Sequence, residues 1–136
     1  MAKKKILVVD DEEEIVFLMR SRLEANGYEV VTANNGRDAL VRVEKDKPDA
    51  LLLDIMMPEV DGLTVLKEIR AKGGRMPVFI MTAYSNEEKI KTAGKLDAAG
   101  FINKTQDFTR EIPNIAAAIA IAEKFKKESP TEGKKR

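Results

Sequence analysis

Five polar side chains stand directly after short apolar runs, at four separate points of the chain: Asp10 with Asp11, Asp54, Thr82 and Lys104. If the apolar runs are parallel strands of one sheet, their carboxyl ends meet at one edge and these side chains converge. Three converging carboxylates repel one another unless a cation lies among them. With only a few oxygen ligands on offer, Mg²⁺ fits best, since it binds through one or two carboxylates, keeps several waters and accepts phosphate oxygens.

Such a cluster is suited to phosphoryl transfer. Asp54 ends the apolar run Ala50–Leu53 and is followed by a turn rich in proline and glycine signals. An ionised aspartate beside Mg²⁺ can attack phosphorus and give an aspartyl phosphate. The main contribution of a protein to this reaction is to neutralise the charge on the transferred group. The ammonium of a lysine is a compact positive charge suited to that role. We therefore predict that Asp54 is the chemical centre, with Thr82 and Lys104 contacting the phosphoryl group.

The composition narrows the chemistry further. The 136 residues include no cysteine and no histidine, which excludes a disulfide framework, Cys- or His-ligated zinc and nucleophiles activated by histidine. The 24 basic and 23 acidic side chains give a formal net charge of +1, so we expect no direct binding of nucleic acid. The longest apolar run, Ile115–Ala122, is too short to cross a bilayer. We therefore expect a soluble, cytoplasmic protein that does not bind membranes.

The elements that must position these groups follow from the hydrophobic pattern. Five short aliphatic runs are each followed by a stretch with helical periodicity. This alternation predicts an α/β fold with one parallel sheet, right-handed crossovers and helices on both faces, and it leaves the strand order open. We place one domain at residues 4–124 and a polar, basic, disordered tail at 125–136. The predicted strands are Lys5–Val9, Tyr28–Ala33, Ala50–Leu53, Val78–Met81 and Gly100–Asn103.

The last two helices of the pattern are unusual in composition. Helix four is polar, with only Ile90, Ala93 and Leu96 to bury, so we predict that it is the least firmly held. The run Ser85–Glu88 is typical of a capping box at its start. Helix five is expected from about Thr109 and is too apolar for a helix with a single buried face. Its exposed stripe is either an enlarged core face or a surface for a dimer or another partner.

Four segments carry the side chains that predict the chemistry: Val8–Glu12, Leu53–Pro58 with Asp61 and Gly62, Met81–Tyr84 and Phe101–Lys104. Together they resemble the receiver domain of bacterial two-component response regulators. The resemblance runs from strand one to helix five and depends on the combination, because any one segment alone is a weak signal. It implies a doubly wound five-stranded sheet in the order 2-1-3-4-5 with five helices, the flavodoxin-like fold of CheY-like proteins.

The resemblance implies a signalling switch and not an enzyme that turns over a substrate. Asp54 would accept a phosphoryl group from a phosphohistidine on a sensor histidine kinase or a phosphotransfer protein, with slow autodephosphorylation at most. The reaction would depend on Mg²⁺. Asp11, Asp54 and the backbone carbonyl of Met56 would hold the metal, and Asp10 would assist through water.

The resemblance also implies how phosphorylation changes the surface. Thr82 and Lys104 would grip the phosphoryl group, together with the backbone at Ala83 and Met56. Thr82 would move toward the group, and Phe101 would turn inward. The surface formed by helix four, strand five and helix five would then change and control an unknown downstream protein. The same surface is a candidate for homodimerisation.

Two positions depart from the family pattern. Thr105 stands where the family usually has a proline after the lysine, often in a cis bond. A cis bond to a non-proline residue costs about 2.5–4 kcal/mol, so a trans bond is expected between Lys104 and Thr105. The path of the loop and the orientation of the Lys104 side chain depend on this bond. Asp97 stands where glycine is usual, and aspartate tolerates a left-handed conformation less well. The end of helix four is therefore expected to differ.

Two other functions fit parts of the pattern. If Thr105 disturbs Lys104, the chain is a receiver-shaped docking module without phosphoryl turnover, and changes at Asp54 would not affect its partner. An aspartate-nucleophile phosphatase on the same general fold would also use a strand-end acid. Such enzymes, however, resemble an Asp-x-Asp arrangement, unlike the adjacent Asp10 and Asp11. Turnover of phosphate esters would favour the phosphatase.

Overall fold

The computed structural model describes residues 3–83, 87–104 and 107–128 of the chain. Five parallel strands form one sheet in the order β2-β1-β3-β4-β5, so the implied strand order and the α/β class are confirmed. The strands are β1 Lys5–Val9, β2 Glu29–Ala33, β3 Ala50–Asp54, β4 Val78–Thr82 and β5 Gly100–Asn103.

Five α-helices alternate with the strands. The last is preceded by a short 3-10 turn, so it starts slightly later than expected, and it continues beyond residue 124, where we placed the domain end. Tyr84, the start of the predicted capping box and residues 129–136 lie outside the described residues. The elements are α1 Glu13–Ala25, α2 Gly36–Asp46, α3 Gly62–Ala71, α4 Glu87–Lys95, the 3-10 turn Phe108–Glu111 and α5 Ile112–Glu128.

The strands β3 and β4 are each one residue longer than predicted, and the added residues are polar. Asp54 pairs with Met81, and Thr82 pairs with Asn103 in β5. Both residues belong to the hydrogen-bonded ladder and not to a loop. The sheet therefore holds the backbones of both residues, which fixes the positions from which the carboxylate and hydroxyl side chains extend.

Both faces of the central strands are covered, as parallel sheets require. Alternate residues of β3 enter two separate apolar clusters. Leu52 packs with residues of α1 and α5, including Met19 and Ile115. Leu51 and Leu53 pack on the other face with residues of α2 and α3. This arrangement explains why β3 is an unbroken apolar run that ends on a single charge.

Arg70, on α3, ties three segments together at the opposite edge of the sheet from the predicted site. Its guanidinium donates to the carbonyls of Leu96 (2.8 Å) and Asp97 (3.0 Å), which follow α4. It also donates to the carbonyls of Gly74 and Met76, both at 3.0 Å. We call these four contacts the Arg70 bridge. Burial lowers the pKa of Arg70.

Asp97, the position at which a departure from the family pattern is expected, follows helix α4. Asp97 itself takes a left-handed conformation, with φ 61°, which is the region that favours glycine. Its carbonyl is one of the acceptors of the Arg70 bridge. The contact helps hold a conformation that costs aspartate free energy, so Asp97 adopts the left-handed backbone that glycine would favour at this position.

Helix α5 carries the exposed apolar stripe that its sequence predicts. Ile115 and Ile119 are buried against the sheet, whereas Ile121 and Phe125 are 56% and 63% exposed. On α4, Ala93 is fully buried. Within the described residues, no helix has both the length and the apolar character needed to span a membrane.

Candidate functional site

Three acids lie together at the carboxyl edge of the sheet. Val9 of β1 pairs with Leu53 of β3, so the residues that follow them, Asp10 and Asp54, stand side by side. Asp10 is fully buried and Asp54 is 2% exposed, whereas Asp11 is exposed. One carboxylate oxygen from each of the three acids lies within 4.8 Å of the others. The predicted convergence of these acids therefore occurs in the folded chain.

Lys104 reaches into this cluster from the end of β5. Its backbone N–H donates to the carbonyl of Thr82 (3.0 Å), which fixes the start of the side chain. Its Nζ lies 2.9 Å from Asp10 Oδ2 and 3.3 Å from Asp54 Oδ2. A third acid, Glu12, places Oε1 2.5 Å from the same amine. The side chain is only 6% exposed, so the ammonium is committed to the acids and is not a solvated surface charge.

Burial and charge set the protonation of the two central groups. Burial raises the pKa of Asp54 to about 6, and the charge of Asp10 raises it as well. The Met56 amide, which donates to Asp54 Oδ1 at 3.0 Å, and the Lys104 ammonium act in the opposite direction. Burial alone would lower the pKa of Lys104, but its contacts with the carboxylates of Glu12 and Asp10 outweigh that effect, so this pKa is raised. At neutral pH both groups are ionised.

The residues of the cluster fit a hard divalent cation. Asp10, Asp11, Asp54 and the neighbouring Glu12 carry four carboxylates, and Lys104 is the one cation that forms ion pairs with them in the described part of the chain. Asp10 Oδ2 lies close to that ammonium but has no hydrogen bond of acceptable geometry among the described residues. A buried carboxylate oxygen with spare acceptor capacity and a net negative charge around it suit Mg²⁺.

The remaining predicted site residues lie at or just after the ends of β3 and β4. Thr82 is half-buried at the end of β4, and Ala83 follows it directly. The amide of Met56 is already used by Asp54, while its sulfur lies 3.3 Å from Lys89 Nζ on α4.

Phe101 does not point into the protein. It pairs with Ile80 of β4 but its side chain is 39% exposed, so the ring lies toward solvent in this structure. Thr105, the position of the predicted departure after the lysine, lies outside the described residues. The Lys104 ammonium is within the described residues, and it lies among the acids.

Two further residues shape the site without having been singled out for it. Glu12 donates its backbone N–H to Asp10 Oδ1 (2.9 Å) and its side chain contacts Lys104. Gly62, at the start of α3, packs so closely on the strand end that a Cβ there would lie 2.3 Å from the Asp54 carbonyl oxygen. The Asp-Gly pair at 61 and 62 gave a signal for a turn, and Asp61 indeed caps α3 by accepting from the Thr64 amide.

A doubly wound five-stranded sheet with clustered acids and a lysine at its carboxyl edge defines a receiver-type signalling domain. The family model described as response regulator receiver domain matches residues 6–116. The chain belongs to this family, which confirms the resemblance inferred from its motifs.

Curated relatives carry the same region within longer proteins. The alkaline phosphatase synthesis transcriptional regulatory protein PhoP of Bacillus subtilis is 45% identical over 102 residues, which cover 74% of this chain and 42% of PhoP. The transcriptional regulatory protein ZraR of Escherichia coli K12 is 38% identical over 125 residues, 92% of this chain and 28% of ZraR. The chain thus spans less than half the length of these relatives.

Solved structures agree with the fold. A CheY-like response regulator receiver domain protein from Methanospirillum hungatei matches with a TM-score of 0.85 at 26% identity, covering 90% of this chain and 98% of that one. The chemotaxis protein CheY4 of Vibrio cholerae matches with a TM-score of 0.80 at 28% identity, covering 86% and 99%. The CheY-like architecture implied by the sequence is therefore confirmed.

Proposed function

We propose that this chain is a phosphoacceptor switch in which Asp54 takes a phosphoryl group from a histidine kinase or a phosphotransfer protein. The observation that carries the proposal is the Lys104 ammonium, which lies 2.9 Å from buried Asp10 and 3.3 Å from buried Asp54. An isolated pair of buried, ionised acids would destabilise the folded chain. Acids that share one ammonium beside an exposed third acid form a site that can receive a dianionic group once Mg²⁺ is bound among them.

The chemistry follows from the positions of the chain's own groups. A carboxylate oxygen of Asp54 attacks phosphorus, the P–N bond of the phosphohistidine breaks, and its electron pair returns to the imidazole nitrogen. The Lys104 ammonium offers a fixed positive charge for the oxygens of the incoming group, which is the main requirement of this transfer. Thr82, at the next strand end, supplies a hydroxyl, and Ala83 supplies a backbone N–H.

Asp10, Asp11 and Asp54 would hold Mg²⁺, and the carbonyl of Met56 is the further ligand that we propose. Bound there, the metal neutralises negative charge shared by the carboxylates and the phosphoryl oxygens. Receiver domains typically bind Mg²⁺ at an acidic pocket of this kind, and the oxygen-only donor set of this chain suits it.

The downstream step is proposed to run through the surface of α4, β5 and α5. Phe101 lies on that surface and is exposed, so an inward turn of its ring would change the surface directly. We propose that this surface controls a partner protein or a second copy of the chain, in the cytoplasm, without direct contact to nucleic acid. PhoP and ZraR are named as transcriptional regulatory proteins, and their output would involve parts that this chain does not match.

The test is direct phosphorylation. The chain is incubated with acetyl phosphate and Mg²⁺, and the intact protein is weighed. We expect a gain of one phosphoryl group that disappears in Asp54→Asn and when EDTA removes the metal. Lys104→Met should slow the gain strongly, while Lys124→Met, far from the site, should not. A gain that persists in Asp54→Asn, or no gain in the wild type, would overturn the proposal.

The docking alternative depended on a misplaced lysine. Lys104 Nζ lies among the acids, which removes the reason to favour that alternative. It would still be supported if the chain captured a partner equally well as wild type and as Asp54→Asn, with no phosphoryl gain in either.

A further inference from the structure

Glu12 makes the shortest of the three carboxylate contacts with Lys104. Its Oε1 lies 2.5 Å from Nζ, closer than the oxygens of Asp10 (2.9 Å) and Asp54 (3.3 Å). A lysine ammonium has three N–H donors and no acceptor. Hydrogen bonds to Glu12 and Asp54 use two of these donors, and the carboxylate of Asp10 lies in ion-pair contact with the same ammonium. A phosphoryl oxygen that arrives on Asp54 therefore has to compete with these carboxylates for Lys104.

The three partners differ in how easily they can leave. Asp10 is fully buried and Asp54 is 2% exposed, both at strand ends. The Glu12 side chain is 61% exposed and rotates into solvent without moving the backbone. Contacts of this exposed kind contribute little free energy on their own. Glu12 is thus the partner that an incoming anion displaces most easily.

The Glu12 side chain has no competing structural duty in the described residues. Glu12 is the N-cap residue of α1, yet its side chain makes no capping hydrogen bond. Its backbone does the structural work: the N–H donates to Asp10 Oδ1, and the carbonyl accepts from the amides of Ile15 and Val16. The backbone is anchored while the carboxylate is directed at Lys104.

We propose that Glu12 is a resting-state partner of Lys104 that the phosphoryl group displaces, so that its carboxylate sets how tightly the site holds a phosphoryl oxygen. Glu12 is in this sense a positioning residue that acts through Lys104. The proposal rests on the proposed function, because it concerns the same site. It predicts that removing the Glu12 charge strengthens the binding of phosphoryl mimics without loss of the fold.

The test compares Glu12→Gln with Glu13→Gln, the next acid along α1, which forms no ion pair with Lys104. Each variant is titrated with beryllofluoride, a mimic of the phosphoryl group, at Mg²⁺ that is saturating for that variant, and the bound fluoride is measured by ¹⁹F NMR. We expect half-saturation to fall about threefold to tenfold in Glu12→Gln and to stay within about twofold of wild type in Glu13→Gln.

A kinetic readout separates competition from a structural effect. With acetyl phosphate as donor, the half-saturating concentration should fall in Glu12→Gln, while the rate at saturation changes less than about twofold. Glu12→Ala should reproduce both results. Unchanged or weaker binding of beryllofluoride in Glu12→Gln would overturn the role of Glu12, as would an equal gain in Glu13→Gln, which would indicate general charge repulsion. If the wild type itself binds no beryllofluoride and gains no phosphoryl group, the proposed function fails and this role fails with it.

Discussion

Asp54→Asn is expected to stabilise the folded chain at neutral pH when no divalent cation is present. Asp54 and Asp10 are buried carboxylates that share one ammonium. Burial raises the pKa of Asp54 from 3.8 to about 6, with a further contribution from the charge of Asp10. The folded chain therefore binds a proton on this carboxyl more tightly than the unfolded chain does.

The direction of the pH effect follows from that difference. As the pH rises from about 4 to about 6, the unfolded chain ionises first, so the free energy of unfolding falls across this window. Each tenfold difference in proton affinity is worth about 1.4 kcal/mol, so the loss reaches about 3 kcal/mol at most above pH 6. Asparagine keeps an oxygen for the Met56 amide and carries no charge. We expect the variant to gain about 1–3 kcal/mol at about pH 7.5 and almost nothing at about pH 4.

Urea unfolding followed by circular dichroism, in EDTA at both pH values, measures this gain. Adding Mg²⁺ at a hundredfold excess over its Kd should stabilise the wild type by about 2.7 kcal/mol and Asp54→Asn by much less. Asp11→Asn, at an exposed acid of the same cluster, is the matched control and should change stability in EDTA only slightly. A variant that is no more stable than wild type at neutral pH, or equally stabilised at both pH values, would refute the electrostatic reasoning.

Three further substitutions test contacts that support the fold, one of them beside the site, with the same unfolding assay. Arg70→Met removes the four hydrogen bonds of the Arg70 bridge and is expected to cost about 2–3 kcal/mol; a loss below about 0.5 kcal/mol would contradict its importance. Asp97→Gly relieves a left-handed aspartate and is expected to add about 0.5–1 kcal/mol, whereas a less stable variant would show that the aspartate side chain holds the turn. Gly62→Ala pushes a Cβ against the Asp54 carbonyl and is expected to cost about 1–3 kcal/mol and weaken Mg²⁺ binding; unchanged values for both would rule out the close packing.

The convergence of the site residues could be predicted from the sequence, because all strands of a parallel sheet end at the same edge. Once Asp54 and Lys104 follow runs that belong to one parallel sheet, their strands end at the same edge of that sheet. The hydrophobic pattern did not predict the strand order, because five similar apolar runs are compatible with several orders. That order came from the resemblance to a family. The boundaries of β3 and β4 were predicted one residue short because a polar residue can end a strand or follow it, and only the ladder decides.

The contacts made by long, charged side chains could not be predicted in this way. Glu12 looks like its neighbours Glu13 and Glu14, which are ordinary first-turn acids of α1, and its contact with Lys104 joins residues 92 positions apart. Arg70 has the pattern of a surface charge on α3, yet its acceptors are backbone carbonyls from two other segments. Backbone acceptors leave no trace in residue type, so the sequence contains no signal for them.

The Arg70 bridge has a mechanical consequence for α4. It fastens the chain just after the last turn of that helix to α3, at the end farther from the acids, while Thr82 and Ala83 lead toward the first turn. A helix clamped at one end and pushed at the other behaves as a lever about a pivot. If phosphorylation shifts Thr82, as proposed, the first turn of α4 would rotate while its far end stays in place.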